Sequence, residues 1–488
     1  MTPNTMIPEL RAEAQRVFSL NFFSQMPLEV EVDFVEGETT LAELVAHYRQ
    51  ARALDAEPWA FHERSLALDY LELAVRRDPE LAGLALMNRT ITYDTDGMRA
   101  RTFMNAARDR AYFIYAGTNR GQWLDNGVAM NGMTQNNRYR SYDSDGEVIE
   151  EFMVEEQASQ GQAEALDYFY KMRARLNLDE SVHVTVSGHS KGGNVAQFVA
   201  INEPLVDRCF SIDGQGFSPE HMIELRNRFP DDFGERVDKL IALQAQDDYV
   251  NVLGVNMTLA KNRYYFSRMY TPHEMDEPRS FKLIVEELLK QHSMLAMCDE
   301  SGLLSAESSQ GGTPDLVKAH SKQLMNVPAS ERGSLIVGMM AFISDLFGHG
   351  QGDIYADEPE PFVAREQIAV LNIPTLRAVL FPETLPKPVE QFTPEDLSRA
   401  SAEFVRQLPP DWYRQPVSFG AALLAMSAVV VALEGALRVH PEEAVLQFLQ
   451  LTFGTLTGMI AYSEREYPGV KRFCDFCKQM VHSLCQTG

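Results

Sequence analysis

Cysteine is scarce: five in 488 residues do not make a disulfide framework. A reducing, cytoplasmic compartment is therefore expected. Positive charge is in deficit, with 44 basic residues against 69 acidic ones and a net charge of −25. That balance disfavours nucleic acid and anionic membrane surfaces as main partners, since both attract basic patches. The same charge also serves solubility. The opening stretch Met1 to Arg11 lacks a basic start followed by an apolar run, so no secretory signal is visible. Long hydrophobic runs are few as well. Val417 to Leu433 and Val445 to Tyr462 are uncharged but sit at the short limit for crossing a bilayer, and no basic cluster flanks them. They read as two packed helices of a buried hairpin rather than a membrane anchor, and membrane contact is not favoured.

Cofactor signals are missing too. There is no Gly-rich phosphate loop, no HExxH and no Ca²⁺ loop, so no cofactor and no metal are expected. Cys474, Cys477, His482 and Cys485 have a zinc-like look. However, only two residues separate the His from the last Cys, and Phe473, Cys477, Met480 and Leu484 fall at helical spacing. A buried helix face is the better reading.

What stands out is the stretch 182–200. Val182, Val184 and Val186 are β-branched and read as a strand, while Val195, Phe198 and Val199 fall at helical spacing. Between them, Gly188-His189-Ser190-Lys191-Gly192 fits G-x-S-x-G, a strained strand-to-helix turn that lifts a serine hydroxyl above a sheet edge. Three fixed small residues recur by chance in about one chain in ten of this length. The strand before and the helix after give the match its weight. Such a turn aims the Lys191 N–H, at the head of the helix, towards an oxyanion formed at Ser190.

Around this turn the chain reads as α/β. Helical patterns fill the first ninety residues, with a capping box at Thr40 to Glu43 and a break at Asp78-Pro79. Strands are expected near 90–94, 100–105 and 111–116, with residues 128–150 a polar surface loop. A helix over Ala163 to Leu176 leads into the turn. Further strands follow: Cys209 to Phe217 as a strand with its C-terminal loop, Leu240 to Asp248 as a strand ending in two acids, and Tyr264 to Arg268, with a helix at Phe281 to Lys290. Strands alternating with helices argue for a mostly parallel sheet covered on both faces. Residues 302–314 are the best linker. The expected organisation is an N-terminal helical segment packed on the core (1–85), an α/β-hydrolase core (86–301) and a helical C-terminal region (315–488).

A serine needs a base within hydrogen-bond reach and an acid to orient that base, in the chain order Ser, acid, His for this kind of fold. Asp247 and Asp248 end a strand, and Asp248 is preferred, with Asp247 in reserve. His273 lies in an acidic, surface-like loop, whereas His292 closes a helix and is favoured as the base. His189 adjoins the serine in sequence, but its side chain is expected to point into the fold. The strand ending at Gly117-Thr118 suits a second oxyanion donor.

Five stretches carry a resemblance: Tyr115 to Asn119 with Trp123 to Gly127, Ser187 to Asn194, Ile212 to Phe217, Asp247 to Gly254, and Gln291-His292. Together they resemble a bacterial family of lipase-like α/β-hydrolases of uncharacterised function, distantly related to the class 3 lipases. The likeness covers roughly residues 85 to 300, with Ala116 standing where the lipases usually carry Arg. It implies Ser190 as nucleophile, Asp248 as acid and His292 as base, with Thr118 and the Lys191 amide forming the oxyanion hole. The leading expectation is a serine hydrolase of acyl esters acting on a small or lipid-like acyl substrate. The alternative is a dormant hydrolase-fold interaction protein whose helical region binds a partner or a membrane.

Overall fold

The computed structural model describes residues 4–24, 34–50, 58–88, 91–92, 98–118, 123–131, 134–267 and 292–310, with residues 318, 321–322 and 325 in isolation. The chain divides into two compact units, 1–270 with 292–311, and 271–291 with 312–488. All the described residues but 318, 321–322 and 325 belong to the first. The expected helices at 281–290 and beyond 315, the apolar runs at 417–433 and 445–462, the cysteine cluster at 474–485 and His273 lie outside the described residues. Among the described residues, no helix is long and apolar enough to cross a membrane.

The N-terminal helices are α1 (Pro8–Ser24), α2 (Leu41–Gln50), α3 (Pro58–Arg77) and the single turn α4 (Pro79–Ala82). Thr40 and Glu43 exchange the bonds of a capping box at the head of α2. Asp78 ends α3 and caps α4, its carboxylate accepting from Glu80 N and Leu81 N ahead of the proline. Four strands follow: β1 (Ala85–Leu86), β2 (Ile91–Thr92), β3 (Arg99–Met104) and β4 (Arg110–Tyr115).

Next come α5 (Trp123–Asn131) and the hairpin β5 (Gln135–Tyr142) and β6 (Val148–Glu156), where the sequence suggested a surface loop. That expectation is corrected. Its turn is built on Asp143, whose carboxylate accepts from Asp145 N and Glu147 N, and on Gly146 at φ +79°. The hairpin escaped hydrophobic patterning because part of its inward face is polar. Asn137 Nδ2 donates to Glu156 Oε1 at 3.1 Å and to Ala158 O at 3.0 Å, and Glu156 pairs with Arg228 at 2.9 Å.

The remainder alternates: α6 (Gln160–Leu176), β7 (His183–His189), α7 (Lys191–Asn202), β8 (Val206–Ile212), α8 (Pro219–Arg228), α9 (Phe233–Asp238), β9 (Leu240–Ala245), β10 (Arg263–Phe266) and β11 (Glu307–Ser308). Nine of the described strands form one sheet in the order β1-β3-β4-β7-β8-β9-β10-β11, with β2 also on β3. From β4 to β10 the pairs are parallel; the ends of the sheet are antiparallel. The fold is α/β with a mostly parallel central sheet. The expected linker begins inside this sheet, since Phe266 pairs with Glu307 and Arg11 donates to the Glu307 carboxylate at 2.8 Å. Its polar composition hid a strand whose partners are distant in sequence.

Each central strand feeds two cores by strict alternation. In β4, Tyr112 and Ile114 pack with Phe18, Phe23 and Phe103, while Phe113 and Tyr115 pack with Tyr168, Phe169 and Phe198. In β7, Val184 and Val186 join the second core, while Thr185 and Ser187 face α1 through Glu13 and Asn21. A fully buried ring such as Phe113 contributes about 2–3 kcal/mol from apolar transfer. With helices on both faces, the open carboxyl ends of β4, β7, β8 and β9 are where a site can form.

Candidate active site

The turn after β7 is set by glycines. A Cβ on Gly188 would lie 2.2 Å from the backbone carbon of Gly192, and one on Gly192 would lie 2.2 Å from Tyr115 O at the end of β4, so the helix can start this close to both strands only if neither position carries a side chain. Between them Ser190 is held at φ +59°, ψ −124°, a strained conformation for a residue with a side chain. Its N–H donates to Ile212 O at 2.9 Å, and its own carbonyl accepts from Gly193 N at 2.9 Å. Lys191 opens α7, so its N–H has no carbonyl one turn back to bond and faces forward at the positive end of the helix.

Above this turn three side chains join. Ser190 Oγ lies 2.8 Å from His292 Nε2, and His292 Nδ1 lies 2.7 Å from Asp248 Oδ1. Because an ionised carboxylate only accepts, the proton on the ring sits at Nδ1, leaving the Nε2 lone pair for the serine hydroxyl. Asp248 is fully buried on the loop after β9, and its Oδ2 accepts from Val250 N at 3.1 Å and Asn251 N at 2.7 Å. Its neighbour Asp247 is partly exposed; Asp248 is the acid that meets His292. His292 lies just ahead of a 3₁₀ turn, Met294–Met297, capped by Ser293.

His189 does not turn away from the site. Its ring lies 4.9 Å from that of His292, and its Nε2–H donates to the His292 carbonyl at 2.8 Å. Burial, with the adjacent His292 second, pushes the His189 imidazole down to about 3. It is a neutral anchor for the backbone of the histidine that faces Ser190.

The loop after β4 runs beside the serine. A Cβ on Gly117 would lie 3.7 Å from Ser190 Cβ and 3.3 Å from His189 O. The next residue, Thr118, accepts a hydrogen bond at Oγ1 from Asn126 Nδ2 at 2.9 Å. Asn126 O in turn accepts from Gln215 Nε2 at 3.2 Å. One residue earlier, Asp125 Oδ2 lies 2.7 Å from Lys191 Nζ and also accepts from Ser159 Oγ at 2.9 Å. Asn194 ties α7 to the loop after β8, donating to Gly216 O at 3.0 Å while accepting from Gln162 Nε2 at 2.7 Å.

The structure thus brings together Ser190, His292 and Asp248, and sets Lys191 and the Gly117-Thr118 loop around the serine. Residue-by-residue reasoning missed the supports: Asp125, Asn126, Asp213, Gln215 and Asn251. The signal lay in the polar motifs Trp-Leu-Asp-Asn-Gly, Ile-Asp-Gly-Gln-Gly and Asp-Asp-Tyr-Val-Asn. Among the described residues, no group of three or more His, Cys, Asp or Glu side chains is placed to hold a metal ion.

Fold and site define an α/β protein with a Ser-His-Asp hydrogen-bonded chain at the carboxyl edge of its parallel strands. The Mbeg1-like family model matches residues 147–241, which contain the Ser190 turn but neither Asp248 nor His292. Among solved structures, the Lip2 lipase from Yarrowia lipolytica is similar at 13% identity, over 51% of this chain and 79% of that one. The TM-score of that match is 0.26. None of the curated proteins matches this chain.

Proposed function

We propose that this protein is a serine hydrolase of the α/β-hydrolase fold that cleaves acyl esters, lipid-like ones included. The observation that carries the reading is the continuous chain from Ser190 Oγ through His292 to Asp248 Oδ1, at 2.8 and 2.7 Å. The Mbeg1-like match across the turn supports a lipase-like relationship. The low cysteine content supports a cytoplasmic setting.

In this mechanism His292 Nε2 takes the proton of Ser190 Oγ as the oxygen attacks the ester carbonyl. The tetrahedral oxyanion is met by the Lys191 N–H and by Thr118. Asp248 holds the ring tautomer and stabilises the imidazolium. The leaving alcohol then takes the proton from Nε2, and a water molecule repeats the sequence on the acyl-serine to release the acid.

Labelling with a fluorophosphonate tests the reading, because the probe reacts with serines activated by a base. Wild type should label, and Ser190→Ala and His292→Ala should not. Hydrolysis of p-nitrophenyl esters of short and long chain length should follow the same pattern. Esterase activity undiminished in Ser190→Ala would refute the proposal.

A further inference from the structure

Behind Asp248 lies a second aspartate that the Ser-His-Asp mechanism does not use. Asp213 directly follows β8, with φ +45°, and is fully buried. Its Oδ1 accepts two hydrogen bonds, from Ala245 N at 2.9 Å and from Asn251 Nδ2 at 3.0 Å. Its Oδ2 is shielded from water and, among the described residues, has no donor facing it. The Asp248 carboxylate is its neighbour across Asn251, and its charge bears on Asp213. Asn251 bridges the pair, its backbone N–H on Asp248 Oδ2 and its side-chain amide on Asp213 Oδ1.

Two ionised carboxylates side by side in a water-free pocket would repel strongly, so one of them holds a proton. The donors decide which. Asp248 receives three N–H groups spread over both oxygens: His292 Nδ1, Val250 N and Asn251 N. That arrangement suits an anion. Asp213 receives two, both on one oxygen, and its bare Oδ2 is an acceptor with nothing to accept. A proton on Oδ2 turns that atom from an unmet acceptor into a donor.

We propose that Asp213 is a neutral carboxylic acid at neutral pH, giving a hydrogen bond from Oδ2 to Asp248 and acting as a positioning residue for the Asp248–His292 pair. Burial first, and the charge of Asp248 second, hold the Asp213 carboxyl well above the usual carboxylate range, in agreement with this assignment. The bond restrains the Asp248 carboxylate and draws charge away from the oxygen facing His292. The role in catalysis rests on the proposed serine-hydrolase reading; the protonation of Asp213 does not.

The test is isotope-edited infrared spectroscopy of the full chain with ¹³C-carboxyl aspartate at neutral pH. A protonated aspartic acid band should be present in wild type and in Ser190→Ala, and lost in Asp213→Asn. Its absence from wild type, or its survival in Asp213→Asn, would overturn the proposal. Should Asp213→Asn not fold, ¹³C NMR of the labelled wild type gives the same reading. One aspartate carboxyl at the acid shift supports the proposal, and none at that shift refutes it.

Activity supplies the second arm. Asp213→Asn keeps an Oδ1 acceptor and puts an N–H donor where the acid proton was, so kcat should stay within about threefold of wild type. Asp213→Ala removes the donor from Asp248, which then pulls harder on the imidazolium. The acid limb of the kcat–pH profile should move to higher pH. Among the described residues, the ionisable groups around Asp213 and Asp248 are Asp248 itself and Tyr249 on the loop after β9 and, beyond Asp248, His292, whose ring lies 5.9 Å from that of Tyr249. If Asp213 were charged, its removal would move the limb to lower pH, and that result would sink the assignment. An inactive protein that still shows the Asp213 band would count against the hydrolase reading and leave the protonation intact.

Discussion

Lys191 Nζ lies 2.7 Å from Asp125 Oδ2, and this ion pair fastens the turn carrying Ser190 to the loop beside it. The Lys191 side chain is only 3% exposed, and Asp125 additionally accepts from Ser159 Oγ and Gly161 N. A buried charge that loses its partner is costly, whereas removing both members is often neutral. Asp125→Ala should therefore lower stability by about 3–5 kcal/mol in urea unfolding, and Asp125→Ala with Lys191→Met should recover much of that loss. Equal instability of the single and double variants would show that the pair is not the source.

Asn126 is the other arm of the same loop, holding Thr118 at 2.9 Å. Removing a group that orients an oxyanion donor should slow the chemical step more than it weakens substrate binding. For Asn126→Ala, kcat on p-nitrophenyl esters should fall about tenfold, with KM held within about twofold. A change confined to KM would place the residue in substrate binding instead.

Asp248→Asn should be more severe. The amide can present an N–H to His292 Nδ1, which favours the wrong ring tautomer for accepting the serine proton at Nε2. Phosphonylation rate and kcat should both drop by about 10³-fold or more, while the melting profile shows a folded protein. Near-normal kcat in a folded variant would remove Asp248 from the mechanism.

Acid should unfold the protein through its buried imidazoles. His221 is 1% exposed, packed edge-on to Phe198 and Phe217 at 5.6 and 5.2 Å. Burial, then the charge of Arg228, pushes it down to about 3, as burial and His292 do for His189. The unfolded chain takes up these protons near pH 6.5, so it binds more protons than the folded chain between about 6.5 and about 3. Stability is fully present above that window and falls as pH drops through it. For His221 the slope is about 1.4 kcal/mol per pH unit. Replacing His221 with Leu should remove one proton from the pH dependence measured by urea unfolding.

Gly188→Ala tests the turn itself. The new methyl would sit 2.2 Å from the backbone of Gly192, and neither strand nor helix can move without breaking its pairing. The expected outcome is loss of soluble protein, or destabilisation of about 3 kcal/mol or more, read by thermal melting. A stable, labelling-competent Gly188→Ala protein would mean that the turn has more room than its geometry allows.

Much of this protein was legible in the sequence because the relevant signals are local. β-branched runs, helical spacing and turn residues identified the strands around Ser190, the helix after it and the acids that follow β9. Glycine is the only residue that fits so close a strand–helix approach, which is why Gly188 and Gly192 marked the turn. Tertiary structure decided the rest. The hairpin at 135–156 was invisible to hydrophobic patterning because Asn137 and Glu156 bury polar groups that bond each other and Arg228. The strand at 307–308 exists only because β10 and Arg11 supply its partners from far along the chain. Asp248 rather than Asp247 meets His292, since a one-residue step along the loop turns a side chain from the pocket towards solvent. The arrangement of Asp213, Asn251 and Asp248 depends on two loops, after β8 and after β9, converging at the sheet edge, and its proton would follow from burial and proximity, neither of which a linear sequence encodes at any single position.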